Sequence, residues 1–383
     1  MAENGARRIR LGMVGGGTGA FIGYVHRVAA RLDGDYELVA GALSSRPEVA
    51  RESGKNLGLA PDRVYTSYEE MAKKEAARPD GIEAVSIVTP NNVHYGPAKA
   101  FLEAGIHVIC DKPLTATLED ARKLAAIKPA KGAKFLLTHN YTGYPLVRQA
   151  RELVKSGALG KIRVVQVEYP QDWLSAPADP GNKQAAWRTD PKRSGAGGAI
   201  GDIGTHAYNL ARFVTGLKTD AVSADLQSFV KGRKVDDNVH ILLRFVGGAR
   251  GMLWASQVAP GNENGLQLRV YGEKAGLNWR QDNPNQMWFT ELGKPAQLLT
   301  RGGAISQPPA ASMNVRIPGG HPEGYLEAFA TLYSQFAEVI RGTGKAYVPL
   351  LPSLADGVEG VEFITASIKS SKADGKWTKL SEV

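Results

Sequence analysis

An apolar run, Ile9–Val14, ends in Gly15-Gly16-Gly17-Thr18-Gly19-Ala20, and an apolar helical stretch begins at Phe21. A strand that turns through glycines directly into a helix has few destinations. Gly15, Gly17 and Ala20 occupy the key places of the pattern G-x-G-x-x-[G/A]. There the first residue permits a tight turn, the second lets backbone amides approach a pyrophosphate, and the third lets the helix pack close to the sheet. The helix amino terminus adds oriented N–H donors and partial positive charge for the anion. The expected ligand is a dinucleotide, with Thr18 and Phe21 completing the contacts of the loop. A glycine-rich hairpin is the alternative, and neither the strand before the loop nor the helix after it suits that.

Length and alternation extend this reading. At roughly 150 residues per domain, 383 residues predict two or three domains. From Ile9 to Thr138 short apolar runs alternate with helical stretches, as in a parallel sheet with crossover helices. Expected strands are Ile9–Val14, Tyr36–Ala42, Arg63–Thr66, Ala84–Val88, His107–Cys110 and Phe135–Thr138. Pro47–Leu57 and Val93–Glu103 read as helices, the second ended by Gly105 as a C-cap. After Thr138 come a helix near Leu146–Lys155, a strand near Ile162–Tyr169 and a long Gly/Pro-rich loop. Antiparallel-type runs follow from Ala221 to Thr300, then two closing helices, Tyr325–Arg341 and Leu354–Lys369. The fold class is α/β: residues 1–138 form a doubly wound parallel sheet, and residues 139–383 form an α+β domain with a large open, mostly antiparallel sheet that carries the closing helices.

Composition narrows the partners. Hydrophobic residues at 43% and charged residues at 22% match an ordinary globular chain. The net charge of +9, from 47 basic and 38 acidic residues, is scattered without a basic run or zinc-finger spacing, so no nucleic-acid partner is expected. No stretch approaches the roughly 18 apolar residues of a membrane span. The single Cys110 excludes an intrachain disulfide and fits a reducing cytoplasm. His26 and His107 form no metal set with their neighbours, so no metal is expected.

Three further segments carry chemistry. At the end of the second strand, Leu43-Ser44-Ser45-Arg46 holds no acid for the ribose hydroxyls, and Ser45 with Arg46 leans toward NADP over NAD. Asp111-Lys112-Pro113 stands at the carboxyl end of the fifth expected strand, where open α/β sheets bind ligands. Gly201-Asp202-Ile203-Gly204-Thr205-His206 leads into an apolar helical run, and residues four apart on a helix share a face. Taken singly, Asp202 reads as a helix cap and His206 as a core histidine.

Together the glycine loop, Asp111-Lys112-Pro113 and Gly201–His206 resemble the glucose-fructose oxidoreductase, inositol dehydrogenase and MocA superfamily over nearly the whole chain. The resemblance implies a Rossmann domain binding NAD or NADP and a second domain whose open sheet makes a homodimer or homotetramer. It makes Lys112, Asp202 and His206 the catalytic group. It places Thr89, Asn91 and His94 beside the cofactor's ribose and diphosphate, and Asp111, replacing a commoner glutamate, at the nicotinamide ribose. Asn140 falls at the carboxamide. Trp173, Trp187 and Arg188, in the long loop, look like those of branch members acting on sugars or anhydrosugars, levoglucosan dehydrogenases among them. There Arg188 would fork to substrate or cofactor and Trp187 would line the cofactor. The bland alternative makes these tryptophans loop anchors. Tyr141 is a further substrate contact, while Tyr144, His321 and Asp236-Asp237 are candidates for which a structural role competes.

The chemistry suits an alcohol dehydrogenase. A secondary alcohol must lose its hydroxyl proton as hydride leaves the same carbon, so a base of suitable pKa is needed. His206 fills that role, Lys112 stabilises the developing alkoxide, and Asp202 orients substrate or imidazole; Lys112 as the base is the competing scheme. The expected function is oxidation of a ring hydroxyl of a sugar, anhydrosugar or cyclic polyol such as inositol. Redox-assisted glycoside hydrolysis and a silent nucleotide-binding sensor or scaffold are the alternatives.

Overall fold

Strand β1 (Ile9–Gly15) is apolar almost throughout because both its neighbours and both its faces are covered. It lies between β2 and β3 in a parallel sheet of order β2-β1-β3-β4-β5, with β2 Tyr36–Ala42, β3 Ala84–Val88, β4 His107–Cys110 and β5 Phe135–Leu137. Helices α1 (Phe21–Leu32), α2 (Pro47–Asn56), α3 (Tyr68–Ala77), α4 (Tyr95–Ala104) and α5 (Leu118–Ala125) connect them. Pro47 opens α2, and Gly105 ends α4 at φ 80°, a left-handed conformation that favours glycine. Arg63–Thr66, expected as a sixth strand, is a 3-10 turn followed by a single parallel bridge from Val64 to Gly41. Four residues offering one pairing bond cannot extend the ladder.

The computed structural model describes residues 7–179, 181–195, 197–303 and 315–383, and it divides into two units. One contains the chain up to Asn140 together with Tyr325–Val358; the other contains Tyr141–Gly324 and Glu359–Val383. The expected boundary at 138 therefore falls two residues early, and the expected block 139–383 needs a larger correction. The Tyr325–Arg341 helix belongs to the first unit, where Phe329, Leu332, Tyr333 and Phe336 join Ile9, Val25, Ala29 and Tyr36 in one apolar cluster. Its amphipathic pattern marks a buried face without naming what covers it. Polar groups lock this packing: the Tyr333 hydroxyl lies 2.8 Å from His26 Nδ1 and 2.9 Å from Ser86 Oγ. Tyr36 donates to the Tyr333 carbonyl at 3.0 Å.

The second unit is built on a mixed sheet of order β13-β12-β11-β10-β6-β9-β8-β7-β14. Its strands are β6 Ile162–Pro170, β7 Thr219–Gln227, β8 Asn238–Phe245, β9 Arg250–Ser256, β10 Gln267–Gly272, β11 Ala275–Arg280, β12 Gln286–Glu291, β13 Gln297–Thr300 and β14 Thr378–Lys379. Only the β6–β9 pair is parallel; the rest is antiparallel, as the sequence predicts. Strict alternation along β8, with Val239, Ile241, Leu243 and Phe245 inward, shows one covered face. Helices α6 (Pro145–Lys155) and, beyond two short helices, α7 (Lys183–Arg188) and α8 (Pro191–Ser194), the longer α9 (Thr205–Thr215) supply that cover. The opposite face leaves Leu242, Met252, Tyr271, Trp288 and Leu298 exposed. Among the described residues no helix is long and apolar enough to cross a membrane.

Burial lowers the His26 pKa to about 4, so its ring is neutral in the fold. An unfolded histidine titrates near 6.5, at about 1.4 kcal/mol per pH unit. The stability His26 contributes is therefore present above pH 6.5 and is lost as the pH falls toward 4. Histidine-selective NMR should show the His26 ring neutral at pH 5; a midpoint above pH 6 would contradict this packing.

Candidate active site

The first unit supplies an anion cradle. Gly15 and Gly16 sit at φ 79° and 72°, and a Cβ on Gly17 would meet the Leu43 carbonyl at 2.7 Å and Ser53 Oγ at 2.8 Å. Ser53 of α2, which no motif marks, braces the loop by accepting from the Thr18 amide at 3.0 Å. Ala20 caps α1 without a side-chain bond and no acid stands in the first turn, which leaves the helix start to an external anion. Phe21 is exposed there. After β2, Ser44 Oγ accepts from the Arg46 amide at 3.1 Å, with Ser45 between them. Arg46 meets Glu48 at 3.8 Å, both side chains about 70% exposed, a pair that holds Arg46 weakly.

The ends of β3, β4 and β5 carry the remaining residues of this half. His94 is fully buried with Nδ1 2.8 Å from the Pro113 carbonyl and Nε2 2.9 Å from the Thr89 carbonyl. These two contacts tie the loop after β3 to the loop after β4. Asn91 is buried beside it. Asp111 Oδ1 accepts from the Lys112 amide at 2.9 Å and the Thr138 hydroxyl at 3.2 Å, and the Lys112–Pro113 bond is cis. His139, overlooked in the sequence, is pushed down to about 3, first by burial and next by the charge of Lys112. The Asn140 amide oxygen and nitrogen and Thr89 Oγ1 are buried without a hydrogen-bond partner among the described residues. Buried polar atoms of this kind are rare unless something else satisfies them, and a nicotinamide carboxamide or ribose has the matching donors and acceptors. The residues present therefore fit a dinucleotide.

In the second unit, the run after Gly198 forms a π-helical turn, Ile200–Gly204, that passes into α9. Such turns recur at functional sites. Asp202 Oδ2 accepts from Arg188 Nε at 2.9 Å and from Gln257 Nε2 at 2.9 Å. Arg188 also donates to the Gln184 carbonyl and side chain, and its flat face lies 4.3 Å from the Trp187 ring and 5.7 Å from the Trp173 ring. Thus Arg188 lies over both tryptophan rings and gives one N–H, Nε, to Asp202. His206 is buried, with Tyr141 edge-on at 4.8 Å between ring centres. The Tyr141 hydroxyl bonds the Tyr169 hydroxyl, which donates to Asn264 Oδ1 at 2.7 Å, and burial raises the Tyr141 pKa. Gln257, Tyr169 and Asn264 escape sequence reading because they sit just after β9, within β6 and in the bend before β10, with no motif around them.

Comparison with known proteins agrees with this geometry. Residues 9–153 match the oxidoreductase family model of NAD-binding Rossmann fold, and residues 147–278 match the GFO/IDH/MocA C-terminal domain. A crystal structure of an oxidoreductase from Sinorhizobium meliloti is 54% identical over 98% of this chain and 100% of its own, with a TM-score of 0.89. An inositol dehydrogenase homolog from Azotobacter vinelandii, solved with NADH and myo-inositol, is 39% identical over 98% of both chains, with a TM-score of 0.90. Levoglucosan dehydrogenase of Pseudarthrobacter phenanthrenivorans is 29% identical over 98% of this chain and 99% of its own. Fold, glycine cradle and sequence likeness converge: the chain belongs to the Gfo/Idh/MocA family of oxidoreductases and carries that family's NAD-binding Rossmann domain.

Proposed function

We propose that the chain oxidises a ring hydroxyl of a cyclic polyol, sugar or anhydrosugar to a ketone, with Lys112, Asp202 and His206 as the catalytic group. The observation that carries this lies in the second unit: a carboxylate, Asp202, held by Arg188 and Gln257, and a buried imidazole, His206, four residues further along one short segment. When bound, NAD or NADP would supply the acceptor for the hydride of the carbinol carbon. His206 takes the hydroxyl proton, and Lys112 donates to the oxygen as it becomes anionic. Asp202, fixed on one oxygen by Arg188 and Gln257, orients substrate or imidazole. Asn140 would hold the carboxamide and Asp111 the adjoining ribose, and Ser45 with Arg46 would favour NADP because Arg46 is restrained by a weak exposed pair. Support for a ring substrate comes from the relatives whose names and ligands are inositol and levoglucosan.

The test is a screen of myo-inositol, levoglucosan and other cyclic polyols and sugars with NAD and with NADP, following reduced nicotinamide. At least one should give net reduction, and Lys112→Ala and His206→Ala should each lower kcat/KM by at least about 100-fold, the usual scale of acid–base assistance. Either variant within about threefold of the parent, less than roughly 1 kcal/mol of barrier, would remove its residue from the mechanism.

The open sheet face supports a second proposal, a homodimer or homotetramer through that face. Leu242 and Met252 pair across β8 and β9, and Trp288 and Leu298 across β12 and β13, with Tyr271 on β10 between the two pairs; exposed apolar surface of this kind marks association. Sedimentation should give an oligomer that Met252→Glu with Trp288→Glu shifts toward monomer; a strictly monomeric parent at micromolar concentration rules the proposal out.

A further inference from the structure

Between β7 and β8, more than thirty residues along the chain from Asp202, two adjacent carboxylates are buried. Buried carboxylates persist only when their oxygens are bonded, and both of these residues use backbone N–H groups. Asp236 Oδ1 accepts from the Gly198 amide at 2.7 Å and Oδ2 from the Ile200 amide at 2.8 Å. The intervening Ala199 amide donates to the Asp236 carbonyl at 2.8 Å. Three successive amides at the start of the segment carrying Asp202 and His206 thus end on one residue of another loop. The fit is close, since a Cβ on Gly198 would meet the Asp236 carbonyl at 2.0 Å.

The neighbouring residue reaches Asp202 by a second route. Asp237 accepts from the Phe229 and Val230 amides at 2.9 and 3.0 Å. Its carbonyl accepts from the Gln257 amide at 2.8 Å, and the side chain of Gln257 is the one that donates to Asp202. The Asp236-Asp237 dipeptide therefore fixes both the backbone that presents Asp202 and one of the groups that grip it.

Only a carboxylate satisfies this arrangement, because two N–H donors aimed at two side-chain oxygens leave no place for the NH2 of an asparagine. Burial pushes the Asp236 carboxyl up to about 6, while the Gly198 and Ile200 amides pull it back. Because that lies above the unfolded value, the group adds stability at low pH that is lost as the pH rises through 6. An ionised Asp236 is thus kept at neutral pH at a cost to folding.

We propose that Asp236 is a positioning residue for the reaction: by anchoring the amides of residues 198–200 it sets where Asp202 and His206 stand. This rests on the reading of Asp202 and His206 as reacting groups, and the test separates the two. Asp236→Asn and, independently, Gly198→Ala should lower kcat at least about 30-fold on whichever of myo-inositol and levoglucosan is turned over. The substrate KM and NADH affinity, read by fluorescence, should stay within about threefold. In the Asp202→Asn background, adding Asp236→Asn should cost less than twofold, as expected of residues acting through one another. Histidine-selective NMR, which needs no turnover, should show Asp236→Asn moving the His206 resonance and leaving that of His26 in place. If Asp236→Asn does not fold, Gly198→Ala carries the same readings. Parent-like kcat, an equal loss in both backgrounds, or an unmoved His206 resonance overturns the proposal. If Asp202→Asn alone leaves kcat unchanged, the catalytic reading fails and this inference falls with it.

Discussion

A carboxylate removed from water is tolerated only where its oxygens are bonded, and the second unit is assembled around that demand at Asp202. Arg188 and Gln257 share its Oδ2, each at 2.9 Å, and the Asp202 and Arg188 side chains keep only 13% and 21% of their exposure. A hydrogen bond to a charged group contributes roughly 1.5–3 kcal/mol, part of what offsets the ordering of the loop that brings Arg188 there. The guanidinium in turn holds Trp173 and Trp187 by its faces. One side chain thereby joins a long loop, a strand end and the π-helical turn into a single rigid arrangement.

The first unit solves a different problem, that of holding several loops at the carboxyl ends of parallel strands without filling the space they surround. Glycines make the first loop small, and Ser53 supports it from behind. His94 ties the second loop to the third by way of Thr89 and Pro113. Asp111 turns its Oδ1 to the Lys112 amide and Thr138, which joins the ends of β4 and β5. Each tie ends on backbone or on a neighbouring side chain, and the polar atoms left over at Thr89 and Asn140 are those a nicotinamide nucleoside can satisfy.

How much of this was legible in the sequence follows from the range of each signal. The glycine loop, the parallel strands, the helix cap at Gly105 and the antiparallel second sheet are local patterns, and they stand where periodicity and turn chemistry placed them. The Lys112, Asp202 and His206 segments were visible as motifs. What escaped were partnerships between distant residues: Tyr325–Arg341 with the first unit, Arg188 with Asp202, Asp236 with Gly198 and Ile200, His94 with two carbonyls. A helical stripe states that a face is buried, and an aspartate states that donors are needed; neither names the group that answers. Arg63–Thr66 failed for the opposite reason, since its strand-like residues had only one bridge to form.

The account stands on the proposal that Lys112, Asp202 and His206 serve a single carbinol. A crystal structure of the protein with NADH and the alcohol it turns over tests this most directly. The account predicts Lys112 Nζ and one nitrogen of His206 both within hydrogen-bond reach, about 2.6–3.2 Å, of the same substrate oxygen. Either group held more than one water layer from that oxygen would contradict it.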